Sequence, residues 1–180
     1  DDRTGEDADQ QLRSLAHGVL LLEQLALDYG AERRKLRVVK MRGVLYRGGY
    51  HDYTIRTGGL EVFPRLVAAE HHTPFKPGAV LSGVQELDAL LGGGLDRGTS
   101  SMIMGPAGCG KTVLATQYAC AAADRGDHVA FYLFDERLNT FIDRAGRLGM
   151  PLSKHVEEGR ILIRQIDPAE VSPGEFAHTI

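Results

Sequence analysis

The sequence predicts an α/β protein in which an antiparallel β meander precedes a parallel sheet layered with helices. Three observations point there. Short strand patterns separated by turn residues fill 18–63, strand and helix signals alternate from residue 82 onward, and a glycine-rich loop at 105–112 stands between a strand signal and a helix signal.

Composition narrows the class. The 180 residues are 43% hydrophobic and 25% charged, with 22 glycines and no tryptophan, which excludes collagen, coiled coil and wholesale disorder. No apolar run approaches the roughly 20 residues of a membrane helix, and the opening DDRTGEDADQ is acidic where a signal peptide is basic and then apolar. A cytoplasmic protein without membrane contact is expected. Cys109 and Cys120 are too few for a disulfide framework and lack metal-ligand spacing, which fits a reducing compartment. The net charge of -3 is uneven: the first ten residues hold five acids and one base, leaving about +1 on the rest. Within that remainder Arg33, Arg34, Lys35, Arg37, Lys40, Arg42 and Arg47 face the single acid Glu32, a concentration that suggests an anionic partner such as phosphate or nucleic acid.

Along the chain, residues 1–10 are polar. GVLLLEQLAL at 18–27 is apolar enough for a buried strand, although periodicity alone leaves a helix open. KLRVVKMR, with Leu36, Val38 and Met41 between bases, reads as a half-exposed strand. HDYTIR and LEVF follow as two more strands around the turn pair Gly58 and Gly59. Pro64, Pro74 and Pro77 break regular structure across a linker at 64–81, which contains His71 and His72. Ser82 is placed to cap a short helix bearing Leu87, Leu90 and Leu91, ended by Gly92, Gly93 and Gly94. SSMIMG at 100–105 reads as a strand, and Lys111–Asp124 as an alanine-rich helix with Leu114, Tyr118 and Ala121 or Ala122 on its inner side. HVAFYLFD at 128–135 has the continuous apolar texture of a strand covered on both faces. Leu138, Phe141, Ile142, Ala145 and Leu148 mark an amphipathic helix, and Ile161, Ile163 and Ile166 a third strand. Ser172, Pro173 and Glu175 form a capping box that opens another helix, cut off at Ile180 within about two turns. There is no internal repeat and no low-complexity tract.

Gly105, Pro106, Ala107, Gly108, Cys109, Gly110, Lys111 and Thr112 match G-x-x-x-x-G-K-[ST] in full, after a strand signal and before a helix signal. The chemistry needs that order. Glycines let the backbone curl so that successive N–H groups converge, and the helix N-terminus adds its positive dipole end. Lys111 supplies a point charge for the β- and γ-phosphates of ATP, and Thr112 a hydroxyl for Mg²⁺. Cys109 fills a free position of the motif. At the end of the next strand FYLFDER puts Asp135 and Glu136 at the carboxyl edge of the sheet, where a carboxylate can orient water or accept a proton. The competing reading is that the pair caps the following helix. His51, His71, His72, His128, His155 and His178 show no ligand spacing and read as solvated surface or loop residues.

SGVQELDALLGGGLDRGTSSMIMGPAGCGKT, then FYLFDER and LNTFIDRAGRLGM, resembles the start of a RecA-like domain in the KaiC family of circadian-clock ATPases. KLRVVKMRG and TIRTGGLEVFPRLVAAEH are similar to the closing strands and interdomain linker after the first RecA-like domain of double-domain members. The resemblance covers about residues 11–180. It implies a RecA-like P-loop NTPase fold, with 1–63 as the C-terminal part of a first domain, 64–81 as the linker and 82–180 as the N-terminal part of a second.

The same resemblance implies a homohexamer with ATP between subunits, regulatory protein partners, and a K-L-R-like finger reaching the neighbour's nucleotide. Lys40 and Arg42 match the charged positions of that finger, with Met41 in place of leucine, while Tyr46 stands where a histidine is usual. Asp135 and Glu136 match the paired catalytic glutamates, the first shortened by one methylene, so which is the base stays open. The Walker B strand would follow the helix at Ser172, and phosphate-accepting serine and threonine would lie later. The implied activity of the parent protein is ATP hydrolysis with serine/threonine autokinase activity, the fragment alone being inactive. Two alternatives stand beside it. One is a RecA- or RadA-like DNA-dependent ATPase, supported by the basic run alone, and the other a nucleotide-switched signalling module with negligible turnover. Nucleic acid is the less expected partner, because Tyr46 is the only ring between Ala31 and Arg47 on which a base would stack.

Overall fold

The structure is a computed structural model that describes residues 12–67, 70, 74 and 76–180. The polar segment 1–10 and the histidines at 71 and 72 lie outside the described residues. The chain divides into two compact units, one of residues 1–72 with 168–180 and one of 73–167.

The first unit is built on four antiparallel strands in the order β1-β2-β3-β4: β1 Gly18–Leu25, β2 Arg33–Met41, β3 Tyr50–Arg56 and β4 Gly59–Phe63. The meander is therefore present as the strand patterns predict. β1 is not a buried strand, however. Its residues alternate between half-covered and exposed, and Leu20 and Leu22 are each 55% exposed. An edge strand with one face against its neighbours' side chains leaves the other face open, whatever its apolar content. The β3–β4 reversal pairs Arg56 with Gly59, so the turn residues are Thr57 and Gly58, one position earlier than the glycine pair suggests.

The segment 168–180 packs on this sheet. Its helix, Pro173–Thr179, is capped by Ser172, whose hydroxyl accepts the Glu175 N–H at 3.1 Å. Half of the expected capping box is thus made. Glu175 points instead to Arg56, at 2.5 Å, and Arg56 also holds Glu61 at 3.0 Å. Asp52 accepts the Gly174 N–H at 2.7 Å, and a Cβ on Gly174 would fall 2.6 Å from that carboxylate.

In the second unit β5 Ala79–Val80 and β6 Leu95–Asp96 form a short antiparallel pair around helix α1, Gln85–Leu90. Val84, not Ser82, occupies the N-cap of α1. Ser82 is buried and acts from further back: its N–H and hydroxyl both donate to Asp88 Oδ1 at 2.8 Å, and its oxygen accepts the Val84 N–H at 3.0 Å. Helix α2 spans Lys111–Asp124, β7 Val129–Leu133, α3 Leu138–Arg147, α4 Leu152–Glu157 and β8 Ile161–Gln165, with β7 and β8 parallel. The helix Pro173–Thr179 of the first unit is α5.

One core holds these elements together: Ala119, Cys120 and Ala123 from α2, Leu133 from β7, Phe141 and Ala145 from α3, Leu152 from α4 and Ile161 from β8. Phe141, Leu152 and Ile161 are essentially inaccessible, and each such burial stabilises by about 1.5–3 kcal/mol. The inward face of α2 runs through Thr116, Ala119, Cys120 and Ala123, rotated from the Leu114–Tyr118 side that size alone favours. Small residues let α2 approach the sheet closely, so alanines rather than the larger side chains face inward.

Two other expectations are corrected. Residues 100–105 belong to no ladder and no helix. A cleft of about 640 Å³, lined by Ser101, Tyr118, Val129, Ala130 and Phe131 among others, runs along the edge of β7 that β8 leaves unpaired. An apolar stretch needs a partner strand for its backbone groups to become a strand itself, and none reaches it among the described residues. β7 is likewise not covered on both faces: Leu133 is buried, but Ala130 is exposed. Two histidines depart from the solvated reading. His51 is buried, its Nε2 donating to the Arg47 carbonyl at 3.0 Å and its Nδ1 accepting the Arg65 N–H at 2.9 Å. His155 is buried beside Asp124, 3.2 Å from Nε2.

Candidate functional site

The loop at 105–112 is shaped by its glycines. Gly108 and Gly110 have φ of 80° and 92°, the left-handed region that L side chains avoid, and they turn the chain directly into α2 at Lys111. At Gly105 a Cβ would lie 2.5 Å from Cys109 Sγ, so a side chain there would displace the thiol. Gly110 is the N-cap of α2 and no side chain caps the helix, so the first-turn N–H groups are left to an acceptor from outside the helix. Lys111 Nζ folds back over the turn and donates to the carbonyls of Gly105 and Pro106, 2.8 Å from each. Ala107 forms the crest of the turn, Cys109 is exposed with its sulfur 4.0 Å from Nζ, and Thr112 stands in the first turn of α2.

Helix α2 packs against β7 and is joined to it by the four residues 125–128, so the two run antiparallel. The α2 N-terminus and the C-terminal end of β7 therefore lie at the same end of the unit. Asp135 and Glu136 follow that end of β7. Their surroundings differ. Asp135 is exposed. Glu136 is gripped by Arg144 of α3 through two bonds, Nη1 to Oε1 at 2.6 Å and Nη2 to Oε2 at 2.7 Å. Neither carboxylate caps α3, whose N-cap is Arg137 with no side-chain hydrogen bond. The capping reading of the pair is not realised.

Lys40, Met41 and Arg42 lie in the first unit, at the end of β2. Lys40 Nζ donates to the carbonyls of Arg13 and Ser14 at 2.9 and 2.8 Å, and Arg42 Nη2 also donates to Ser14 at 2.8 Å. Both cations thus close the carbonyl end of the helical turn at 12–15. Desolvation, with Arg42 repulsion second, holds the Lys40 amine below the usual lysine range. The Met41 thioether packs where a Cβ on Gly18 would stand. Tyr46 donates to the Val39 carbonyl at 3.1 Å.

The residue that sequence reasoning missed is Arg144. It lies eight positions from Glu136, outside the three- and four-residue spacings at which helical side chains meet, and the contact depends on how the chain turns into α3. The described residues contain no cluster of three or more His, Cys, Asp or Glu side chains arranged for a metal, and no helix long and apolar enough to cross a membrane.

A glycine-built turn opening a helix, with its lysine folded over the turn and acids past the strand that follows, is the arrangement of a P-loop. The chain belongs to the KaiC family: the family described as "ATPase: KaiC" matches residues 80–175, more than half of it. It is 28% identical over 137 residues to the circadian clock oscillator protein KaiC of Acaryochloris marina, covering 76% of this chain and 26% of that protein. It is also 28% identical over 161 residues to the circadian clock protein KaiC2 of Synechocystis, covering 86% and 28%. A shorter match, 39% over 74 residues, links 41% of the chain to 16% of the DNA repair protein RadA of Brucella abortus. The chain spans about a quarter of the length of the KaiC relatives it matches.

Proposed function

We propose that the parent protein binds ATP with Mg²⁺ at residues 105–112 and hydrolyses it. The observation that carries this reading is the cradle itself: left-handed Gly108 and Gly110, uncapped N–H groups of α2, and Lys111 over the turn. The donor set fits the polyphosphate, with backbone N–H groups and one lysine for its oxygens, and the Thr112 hydroxyl as the group that would hold Mg²⁺. The metal, when bound, neutralises charge on the phosphate oxygens. Lys111 exchanges its two carbonyl partners for phosphate oxygens, so the loop changes partners more than shape. In hydrolysis, water attacks the γ-phosphorus, its proton passes to a carboxylate of the Asp135–Glu136 pair, and ADP leaves.

In this reading residues 1–63 close a first KaiC-like domain, 64–81 link it to the next, and 82–180 open a second. Support comes from the family match, which begins at residue 80, where the linker ends. The protein assembles as a homohexamer in which Lys40 and Arg42, with Met41 between them, leave the 12–15 turn to reach ATP held by a neighbouring subunit. Serine/threonine autophosphorylation and regulatory protein partners, which the KaiC resemblance implies, extend the reading to the full-length protein. A second reading, DNA-dependent ATP hydrolysis, is favoured by the RadA likeness and the basic run of β2.

The test is Lys111→Ala in the full-length protein. Removing the one cation of the loop should weaken MgATP binding at this site at least ten-fold by calorimetry and abolish its turnover. Equal affinity in wild type and variant would remove the reading.

A further inference from the structure

We propose that Arg144 is a positioning residue for the acidic pair: its two-point grip withdraws Glu136 and leaves Asp135 as the carboxylate that meets water. The inference rests on the ATPase reading above and assigns different roles within it to two adjacent acids.

The geometry is specific. Glu136 precedes α3, whereas Arg144 sits in its second turn, about 10 Å further along the axis at 1.5 Å per residue from the N-cap Arg137. Side chains on a helix lean toward its N-terminus, so the arginine stem lies back along α3 and delivers the guanidinium to the carboxylate. Both terminal nitrogens engage, one to each oxygen, at 2.6 and 2.7 Å, the paired geometry that a planar guanidinium makes and an ammonium does not. Phe141 and Ala145, buried on the adjoining face, fix the helix that carries Arg144.

Charge explains why such a grip matters here. Two neighbouring ionised carboxylates oppose one another and both repel a nucleotide polyphosphate. Pairing Glu136 with Arg144 offsets one of those charges and occupies an acceptor site on each of its oxygens. Asp135 is exposed and makes no side-chain hydrogen bond or ion pair among the described residues. The division of labour follows from which acid Arg144 reaches. Its worth to folding is limited, because the two side chains are 41% and 25% exposed and solvent screens the pair. Removing it therefore reads on the chemistry rather than on the fold.

The experiment is a double-mutant cycle on the full-length protein, scoring kcat and KM for ATP separately, with Lys111→Ala as reference. Arg144→Met should lower kcat roughly ten-fold in the wild-type background and less than about two-fold in the Glu136→Gln background, since contacting residues couple and independent ones add. Arg144→Lys should fall between, as a one-point contact. Arg144→Gln serves as a second variant should the methionine disturb assembly. Equal losses in both backgrounds, or an unchanged kcat in Arg144→Met, would overturn the assignment while ATPase activity sensitive to Lys111→Ala remained. A wild type without turnover, or one indifferent to Lys111→Ala, would remove the parent reading and this one with it.

Discussion

At the scale of single residues, the positions that decide most are held by backbone groups rather than by other side chains. Lys111 rests on two carbonyls, Lys40 and Arg42 on three bonds to carbonyls, and Asp88 on the backbone N–H of Ser82. Asp88 allows a prediction with a definite sign. Its carboxyl is held below the usual range chiefly by the Ser82 N–H; partial desolvation opposes this, and the Ser82 hydroxyl, the Gly83 N–H and the Arg125 charge add to it. A folded value below the unfolded one means that ionised Asp88 favours the fold above about pH 4, the range of an unperturbed aspartate, and that this contribution is lost as pH falls through the folded value. Asp88→Asn should therefore lower the denaturant midpoint of unfolding at pH 7, with the gap to wild type narrowing toward pH 3. A gap that stayed constant across that range would sink the argument. Cys120 shows the opposite direction: burial, with nearby Asp124 second, pushes its thiol up, whereas Cys109 stands exposed in the loop.

At the scale of elements, the second unit depends on α3. Phe141 is 1% exposed and meets Phe131 edge-on at a centroid distance of 5.1 Å, joining α3 to β7 just before the acidic pair. Phe141→Ala should cost about 3–5 kcal/mol in unfolding free energy, and a loss under 1 kcal/mol in denaturant titration would show that the site collapses around the deletion. This helix was legible because Leu138, Phe141, Ile142 and Ala145 repeat at helical spacing. The phosphate loop was legible because its glycines answer a backbone need that no other residue meets at 108 and 110. Other elements were not, for reasons that differ. Helix α4 has six residues, too few for a period to emerge between Pro151 and Gly159, though Leu152 becomes one of the most buried side chains. SSMIMG has strand composition, but a ladder is a property of two segments and only one was in view. The Arg144–Glu136 pair is hidden for a related reason, since separation along the chain says little where a loop meets a helix.

At the scale of the whole molecule, the basic run decides between an ATPase that ignores nucleic acid and one that depends on it. A nucleic-acid groove needs its cations on one surface and free to exchange counterions for phosphates. Alternation along β2 puts Arg33, Lys35 and Arg37 on one face and Arg34 on the other. Arg34 lies opposite Tyr53 and Gln24, on one face of the sheet, while Lys35 lies opposite Asp52 and Glu23 and Arg37 opposite Tyr50 and Leu21, on the other. Most are also engaged. Arg34 pairs with Glu32, Lys35 and Arg37 stand over the Tyr50 ring at 5.9 and 5.6 Å, Lys40 and Arg42 close the 12–15 turn, and Arg47 pairs with Glu70 and donates to the Arg65 carbonyl. The Tyr50 ring has two of these cations across it and its hydroxyl on Glu23 at 2.8 Å, so it offers no stacking platform. Titrating the full-length protein with a single-stranded oligonucleotide at physiological salt should thus give only non-specific attraction, with a dissociation constant of about 10⁻⁴–10⁻⁶ M. Submicromolar affinity, lost when Arg33, Arg34 and Arg37 are neutralised together, would require these side chains to exchange their present partners for phosphates, and would put the DNA-dependent reading first.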